Sequence, residues 1–412
     1  MQDWKALLAT PRFRALWLAL VCSNMGSWCV MAALPILVAE RFGAGTELVL
    51  SLGLRILPKI LLAPIAGGFL RRYGASRVAG CALVAEGVLT AALPWCHDFL
   101  LLQVAIGSIG TLDVFVNPSL LSLRSSATPP GLAMAANTLC SVADRSAKIV
   151  GPIIGGIAVL AGFEPAFLAF GLTIAAAAIP TSRLRVAPEV RVAQEVRATP
   201  EVRANHQAFI ASPMEFVAML RGDSIMTGLL IVAVTYMVMV GGLRPFLFWA
   251  NREWYGASDA AWTGLLSAQG AGALIGAILA ALLGRRMQRS ISAYGLTLVT
   301  GILEGALHLA LLLAVSGPQA MVVLALASIP EILSAASWFT AVQERLTPQQ
   351  QGIFFTFAMP VWDCAFALGL MSAGLRANGS LSLTAFWVLV SLSATLPLVP
   401  LLLYHGWNSA RR

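Results

Sequence analysis

Charged side chains are scarce in this sequence. Only 11% of its 412 residues are Asp, Glu, Lys or Arg, whereas an ordinary soluble domain contains about 25%. Hydrophobic residues make up 58% of the chain, and the mean hydropathy is +0.81. This composition argues against a soluble enzyme or a disordered chain. It indicates a polytopic membrane protein, in which few polar groups lie within the membrane.

Residues that form catalytic and metal-binding motifs are also few. The six cysteines include no CxxC pair, the four histidines form no cluster, and no HExxH, GxSxG or Walker sequence is present. We therefore expect no cofactor, no metal and no enzymatic activity. The net charge of +8 fits the basic cytoplasmic loops of a membrane protein better than a nucleic-acid partner.

Long apolar runs divide the chain into segments that can cross a bilayer, because a helical span needs about 20 apolar residues. A transmembrane β-barrel would instead show short alternating segments. We predict twelve transmembrane helices at roughly 14–39, 48–70, 78–95, 99–123, 133–159, 163–181, 224–248, 260–284, 291–314, 319–343, 353–375 and 381–403.

Basic residues collect on one side of these predicted spans. With the N-terminus cytoplasmic, 19 of the 27 Lys and Arg residues fall in cytoplasmic segments. The opposite side has only Arg41, Arg252 and Arg376. Because Lys and Arg are retained on the cytoplasmic side, we predict a multi-pass protein of the bacterial inner membrane with both termini in the cytoplasm.

The longest connection, between spans six and seven, divides the chain into two halves. It carries a six-residue repeat at 187–204 in which Pro188 and Pro200 interrupt any helix. The predicted fold is an all-α membrane protein of two pseudo-symmetric six-helix bundles. The N-terminal bundle spans 1–181, a solvated cytoplasmic linker spans 182–221, and the C-terminal bundle spans 222–412.

The turn after span two carries the first motif that resembles a known family. It reads Gly67-Gly-Phe-Leu-Arg-Arg-Tyr-Gly-Ala-Ser-Arg77, and span eight ends in a similar basic turn at 284–286. With twelve spans and a long central linker, the chain resembles the major facilitator superfamily over nearly its whole length. An Asp that latches the cytoplasmic side normally stands where this chain has Arg71. The resemblance assigns gating roles to Gly67, Arg71, Arg72, Gly74 and Arg77.

Span five carries the most specific motif. The segment Gly151-Pro-Ile-Ile-Gly-Gly156 matches the GPxxGG core of the antiporter motif in that superfamily. Proline bends a helix and glycines permit close helix approach, so ordinary helix packing is the alternative interpretation. In span four, Gln103 stands four residues before Gly107, where the antiporter pattern has Arg. The structural positions of the motif are Gly151, Pro152, Gly155 and Gly156.

The opening Pro11-Arg-Phe-Arg-Ala-Leu-Trp17, and Asn137 ahead of Arg145, resemble one branch of the superfamily. That branch holds macrolide-efflux-type pumps, enterobactin exporters and lysophospholipid transporters. It implies export of a small amphipathic molecule, drug-like or siderophore-like, by proton antiport. The expected partners of this monomer are the substrate, protons and membrane lipids. A lipid translocator of the same fold and a transport-inactive binding or sensor protein are the alternatives.

Ionisable residues within spans are costly, so each is a candidate functional group. Asp113 shares a helix face with Asn117, four residues on, and in the resembled fold span four lines a cavity. Asp113 is a candidate for proton coupling or substrate contact, and a buried pair with a neighbouring cation is the alternative. The candidate proton-coupling residues are Asp113, Asp144, Glu331 and Asp363.

The basic residues within spans need partners. Asp144 and Lys148 are spaced to neutralise one another, which leaves Arg145 to find its own partner, such as Asp113. Arg55 and Lys59 lie on one face of span two with the same charge. They imply a water-filled cavity, carboxylates from other helices or an anionic ligand.

Charge within the spans is distributed unevenly between the halves. The N-terminal spans hold four bases against three acids, and the C-terminal spans hold Arg244 against Glu304, Glu331 and Asp363. We expect a cavity with a basic and an acidic wall, which suits an anionic or zwitterionic amphipath. The predicted substrate-binding residues are Asn24, Trp28, Arg55, Lys59, Asn117, Arg145, Lys148, Tyr236, Arg244, Gln269, Trp338 and Trp362.

Two further acids receive a structural interpretation. Glu86 and Glu304 lie on spans three and nine, which face outward in the resembled fold. Glu304 and His308 are four residues apart, so we expect a structural pair, with proton transfer between them as the alternative.

Overall fold

The computed structural model describes residues 2–129, 132–184 and 213–410. The hexapeptide repeat at 187–204 lies outside the described residues. The chain separates into two compact units, Met1–Gln207 and Ala208–Arg412. Within the described ranges every regular element is helical, which confirms the all-α prediction.

The N-terminal unit begins with a short helix and continues with six long ones. Helix α1 precedes the first predicted span, α2 to α7 occupy the six predicted spans, and α8 is a short extension of α7. A 3₁₀ turn at Leu93–Trp95 extends α4. The bounds are α1 Gln2–Ala9, α2 Pro11–Arg41, α3 Thr46–Tyr73, α4 Ala75–Ala92, α5 Phe99–Ala127, α6 Ala133–Val159, α7 Phe163–Ala176 and α8 Ala178–Ser182.

The C-terminal unit repeats this order. Helix α9 precedes the seventh predicted span, α10 to α15 occupy the remaining six spans, and α16 extends α15. The bounds are α9 Pro213–Gly222, α10 Ser224–Glu253, α11 Trp262–Ser290, α12 Ala293–Leu309, α13 Gly317–Arg345, α14 Pro348–Ala377, α15 Leu383–Thr395 and α16 Leu398–Ala410.

Ten of the helical segments in the described ranges are long and apolar enough to cross a membrane. Two further helices, α3 of 28 residues and α6 of 27 residues, occupy the predicted spans two and five. Each of the twelve spans predicted from hydropathy therefore corresponds to a helix.

The end of the predicted linker is helical. Helix α9 covers Pro213–Gly222, and Phe216 in it is buried against Phe354 of α14, with ring centroids 5.9 Å apart. Apolar anchoring of this kind attaches the helix to its unit. With ten residues, the segment is too short to be predicted as a span from hydropathy.

The same helix pairs form the main contacts in both units. In the N-terminal unit α2 packs on α6, α3 on α5, and α4 on α7. In the C-terminal unit α10 packs on α14, α11 on α13, and α12 on α15. Counting only the helices that occupy predicted spans, the first helix of each unit packs on the fifth, the second on the fourth, and the third on both the fourth and the sixth, as expected of an internal repeat.

Glycines set the closest of these contacts. A Cβ atom on Gly151 would lie 2.6 Å from Trp28 Cβ, and one on Gly155 would lie 2.7 Å from the Cys29 carbonyl oxygen. Two glycines of the GPxxGG segment therefore face α2 and let its backbone approach α6. Between α3 and α4, Gly74 has φ +84°, a conformation that favours glycine and makes the sharp turn there.

We expect Gly155→Ala to destabilise the protein by on the order of 1–3 kcal/mol, because the added methyl group overlaps the backbone of α2. Gly80→Ala is the matched control, since a Cβ there meets nothing within 4 Å, and it should stabilise α4 by up to about 1 kcal/mol. Thermal unfolding of the detergent-purified variants measures both. Equal midpoints for the two variants would contradict the assigned contact.

Candidate functional site

Asp113 of α5 is the centre of the charged cluster in the N-terminal unit. Its Oδ2 lies 3.3 Å from Lys59 Nζ and 3.8 Å from Arg55 Nε, both on α3. The Asp113 and Arg55 side chains are buried, whereas that of Lys59 is 39% exposed. The like-charged pair on α3 thus finds a carboxylate on another helix, one of the options left open by the sequence. Asp113 is paired with these two cations rather than with Arg145.

Close packing of α3 on α5 brings these charges together. A Cβ on Gly110, three residues before Asp113, would lie 2.3 Å from the Arg55 carbonyl oxygen. Two turns before Gly110 on α5, Gln103 Nε2 donates a buried hydrogen bond of 2.6 Å to Ser51 Oγ of α3. Gln103, which replaces the arginine of the antiporter pattern, therefore ties α5 to α3.

Glu86 of α4 belongs to the same cluster. It is 1% exposed, and neither carboxylate oxygen has a hydrogen-bond partner among the described residues. It interacts electrostatically with Asp113, Arg55 and Lys59. The position that we interpreted as structural thus lies beside the predicted functional acid.

The α6 charges form a separate, more exposed group. Lys148 Nζ lies 3.5 Å from Asp144 Oδ2 on the same helix, as predicted, and 5.5 Å from the centroid of the Trp28 ring. Arg145 is half-buried and forms no ion pair within the described ranges. Asn24 is half-buried, whereas Asn117 is exposed although Asp113, one turn before it, is buried.

In the C-terminal unit the polar groups come from three helices. Tyr236 Oη on α10 donates a hydrogen bond of 2.8 Å to Glu331 Oε1 on α13. Tyr236 also interacts electrostatically with Arg244 of α10 and with Glu304 of α12. The structure therefore joins two predicted residues, Tyr236 and Glu331, through a direct contact.

Glu304 and His308 are both buried, at 3% and 1% exposed. His308 Nδ1 donates to the backbone carbonyl of Glu304 at 3.0 Å, so the expected contact between the two side chains is replaced by an intrahelical one. Glu304 Oε1 and His308 Nε2 lack hydrogen-bond partners among the described residues. Glu304 interacts electrostatically with Glu331.

Trp338 and Trp362, two tryptophans predicted to bind substrate, differ in exposure. Trp338 is 5% exposed, and its Nε1 donates a hydrogen bond of 2.7 Å to the Leu229 carbonyl oxygen, which places it in the core of its unit. Trp362 is half-buried, packs edge-on against Trp338 at 5.2 Å, and its Nε1 has no partner in the described ranges. Gln269 and Asp363 are half-buried.

The residues with predicted gating roles lie at the end of α3 and the start of α4. Gly67 and Arg71 lie in the last two turns of α3, and the Arg72 guanidinium lies 5.4 Å from the Tyr73 ring centroid. Arg77 is exposed on the first turn of α4. Within α6, Pro152 and Gly156 are buried.

Hydropathy and spacing along the sequence do not reveal the neighbours of Glu86, Glu304 and Gln103 on other helices. The signal for the two glutamates is a repeated dipeptide, Glu86-Gly87 and Glu304-Gly305, on the third helix of each unit. In both units the glycine packs against the sixth helix, which holds the adjacent glutamate inside the unit.

The described residues form two repeated units, each with six helices in predicted spans, and the spans contain buried charges. This is the architecture of a secondary membrane transporter. A sequence profile of the Major Facilitator Superfamily matches residues 16–370. The chain therefore belongs to this superfamily and is a multi-pass membrane protein. No match is found among curated proteins.

Solved structures of transporters have the same fold. A peptide transporter POT in complex with sulfate has a TM-score of 0.72 at 13% identity, with 99% of both chains covered. A D-xylose-proton symporter has a TM-score of 0.71 at 11% identity, with 95% of this chain and 97% of that chain covered. The nucleoside transporter NupG has a TM-score of 0.69 at 12% identity with the same coverage. At these identities the likeness shows the fold alone.

We expect Asp113→Asn to destabilise the protein by on the order of 3 kcal/mol, because it leaves Arg55 buried without its counter-charge. Asp144→Asn removes the acid of a more exposed pair and should cost less than about 1 kcal/mol. Thermal unfolding in detergent at pH 7 compares them. A smaller loss for Asp113→Asn than for Asp144→Asn would refute the buried ion-pair assignment.

Proposed function

We propose that the protein is a secondary active transporter that exports a small anionic or zwitterionic amphipath, drug-like or siderophore-like, by proton antiport. Alternating access of the two units is the mechanism implied by the family. The observation that carries the proposal is the Arg55–Lys59–Asp113 cluster, in which two cations share one carboxylate.

This cluster has unused capacity for an anion. The Arg55 Nη1 atom is buried without a hydrogen-bond partner among the described residues, and the Lys59 ammonium group is accessible. The half-buried Arg145 adds a further positive charge to the unit. An anionic group can accept charge-assisted hydrogen bonds from such donors, whereas a lipophilic cation would be repelled.

Antiport argues for a coupling proton outside the Arg55–Lys59–Asp113 cluster. Neutralising Asp113 would strengthen the attraction of Arg55 and Lys59 for an anion, which favours binding of proton and anion together. Antiport requires that the proton and the substrate favour different states. We therefore assign the coupling proton to the C-terminal unit, where Glu331 accepts a hydrogen bond from Tyr236. One structural neighbour is a D-xylose-proton symporter, so this fold supports proton coupling.

A ligand screen by thermal stability tests the substrate class. The panel contains siderophores, macrolides, lipophilic cations and lysophospholipids at two pH values, and a ligand that binds only the folded protein raises its unfolding midpoint. We expect the anionic or zwitterionic compounds to give the shift. A shift with cations alone would contradict the proposed substrate class, and a selective shift with lysophospholipids would favour a lipid translocator.

The same screen tests the proposed contact. We expect Lys59→Gln to weaken ligand binding by about tenfold to a hundredfold, the effect of losing a hydrogen bond from a charged donor. Lys5→Gln, which removes an exposed lysine of α1, is the control and should bind as the unaltered protein does. Equal binding by both variants would remove Lys59 from the site.

The proposed topology, with both termini in the cytoplasm of a bacterial inner membrane, is supported by the small number of basic residues on the predicted outer side. All three arginines on the predicted outer side have a carboxylate partner, so that side carries no uncompensated basic residue from this set. The pairs are Arg41 with Glu164 at 3.4 Å, Arg252 with Asp259 at 3.1 Å and Arg376 with Glu253 at 2.7 Å.

Cysteine labelling checks this orientation. Ser380, after α14, and Ser290, at the end of α11, are both exposed. An impermeant maleimide should label Ser380→Cys in intact cells and Ser290→Cys only after the membrane is opened. The parent protein, with its own six cysteines, gives the background. The reverse pattern would invert the topology.

A further inference from the structure

A pair of acids recurs at the same place in both units. Glu86 lies 11 residues after Ala75, the first residue of α4, and Glu304 lies 11 residues after Ala293, the first residue of α12. Asp113 and Glu331 each lie 14 residues into the next long helix, from Phe99 and Gly317 respectively. The Glu86–Asp113 and Glu304–Glu331 pairs are therefore equivalent under the internal repeat.

The two members of each pair are close enough to influence one another. Glu86 interacts electrostatically with Asp113, and Glu304 with Glu331. Both glutamates are buried, at 1% and 3% exposed. Two carboxylates that share a buried site cannot both stay ionised without positive charge nearby.

The N-terminal pair has that positive charge. Arg55 and Lys59 both contact Asp113 and interact electrostatically with Glu86. The two cations contact Asp113 and lie near Glu86, so positive charge is available to whichever acid of this pair is ionised.

The C-terminal pair has a different environment. The spans of this unit hold one permanent cation, Arg244, against Glu304, Glu331 and Asp363. With all three acids ionised, these spans would carry a net charge of −2. Glu304 itself forms no ion pair within the described ranges, and its Oε1 atom has no hydrogen-bond partner there.

The helices packed against α12 offer little further compensation. Helix α13 contributes Glu331, and α10 contributes Tyr236 and Arg244, all of which interact with this group. Helix α15 has no ionisable side chain. The basic residues of α11 belong to 285–289, in the last turns before α12 begins.

Tyr294, near the start of α12 and about 15 Å along the helix from Glu304, interacts electrostatically with Arg345 at the end of α13. Two histidines also lie on or beside α12. His405 of α16 makes a 2.8 Å hydrogen bond with Ser292, at the start of α12 and about 18 Å along the helix from Glu304. His308 is one turn from Glu304, and its Nδ1 is engaged by a backbone carbonyl. Neither histidine contacts the Glu304 carboxylate within the described ranges.

We propose that the Glu304–Glu331 pair is a proton-binding site whose proton sits on Glu304, while Tyr236 donates its hydroxyl to Glu331. Binding takes one proton from water and converts the Glu304 carboxylate to a carboxylic acid, and release reverses this. The inference rests on the proposed proton antiport and names the residue that holds the coupling proton.

Infrared spectroscopy of the ligand-free, detergent-purified full chain tests this site, because a protonated carboxyl group has a carbonyl-stretch band that a carboxylate lacks. At pH 7 we expect Glu304→Gln to remove a component of that band, and the control variant Glu164→Gln, which removes an exposed glutamate of α7, to leave the band unchanged. Glutamine has the shape of protonated glutamate, so Glu304→Gln should fold. Glu304→Asp keeps a carboxyl group and should move the component instead of deleting it.

The possible outcomes distinguish a failure of the proton-site inference from a failure of the export proposal. A component that depends on Glu304 supports the inference even where no ligand of the panel stabilises the protein, a result that would count against the export proposal alone. A band that is the same in Glu304→Gln, Glu304→Asp and the unaltered protein would overturn the inference.

Discussion

An ionised side chain inside hydrocarbon is stable only with a counter-charge or hydrogen bonds close by. The described part of this chain satisfies that constraint by bringing charges together across helices. Asp113 forms ion pairs with Arg55 and Lys59, and this contact requires α3 and α5 to touch at Gly110. Close packing at Gly110 therefore makes charge compensation possible, because it brings Asp113 within reach of Arg55 and Lys59.

The two units apply this constraint differently. They share helix order, helix pairing and a buried glutamate on the third helix, yet cations accompany the acids of the N-terminal unit, whereas Tyr236 and Arg244 accompany Glu304 and Glu331. In our account the first environment attracts an anionic substrate and the second binds a proton. The two units thus share one helix arrangement but differ in charge, and in this proposal one unit binds the substrate and the other binds the proton.

Hydropathy and charge predicted most of the fold, because a span must be apolar throughout its length and each of the twelve predicted spans has a helix. The pairing of Asp144 with Lys148 also followed from spacing within one helix. Contacts between helices did not. The partner of Asp113 depends on the rotation of α3 against α5, and Trp338 proved to be a core residue because Leu229 offers its indole a carbonyl. Glu86 and Glu304 were undervalued because their neighbours come from other helices.

Proton flux in proteoliposomes tests the central claim, that this transporter exchanges a small molecule for protons. The vesicles enclose a pH-sensitive dye, and the ligand that most stabilises the purified protein is added on one side without any imposed pH gradient. The account predicts that the ligand gradient drives protons in the opposite direction and changes the internal pH. A stabilising ligand that moves no protons, or that carries them in its own direction, would contradict antiport.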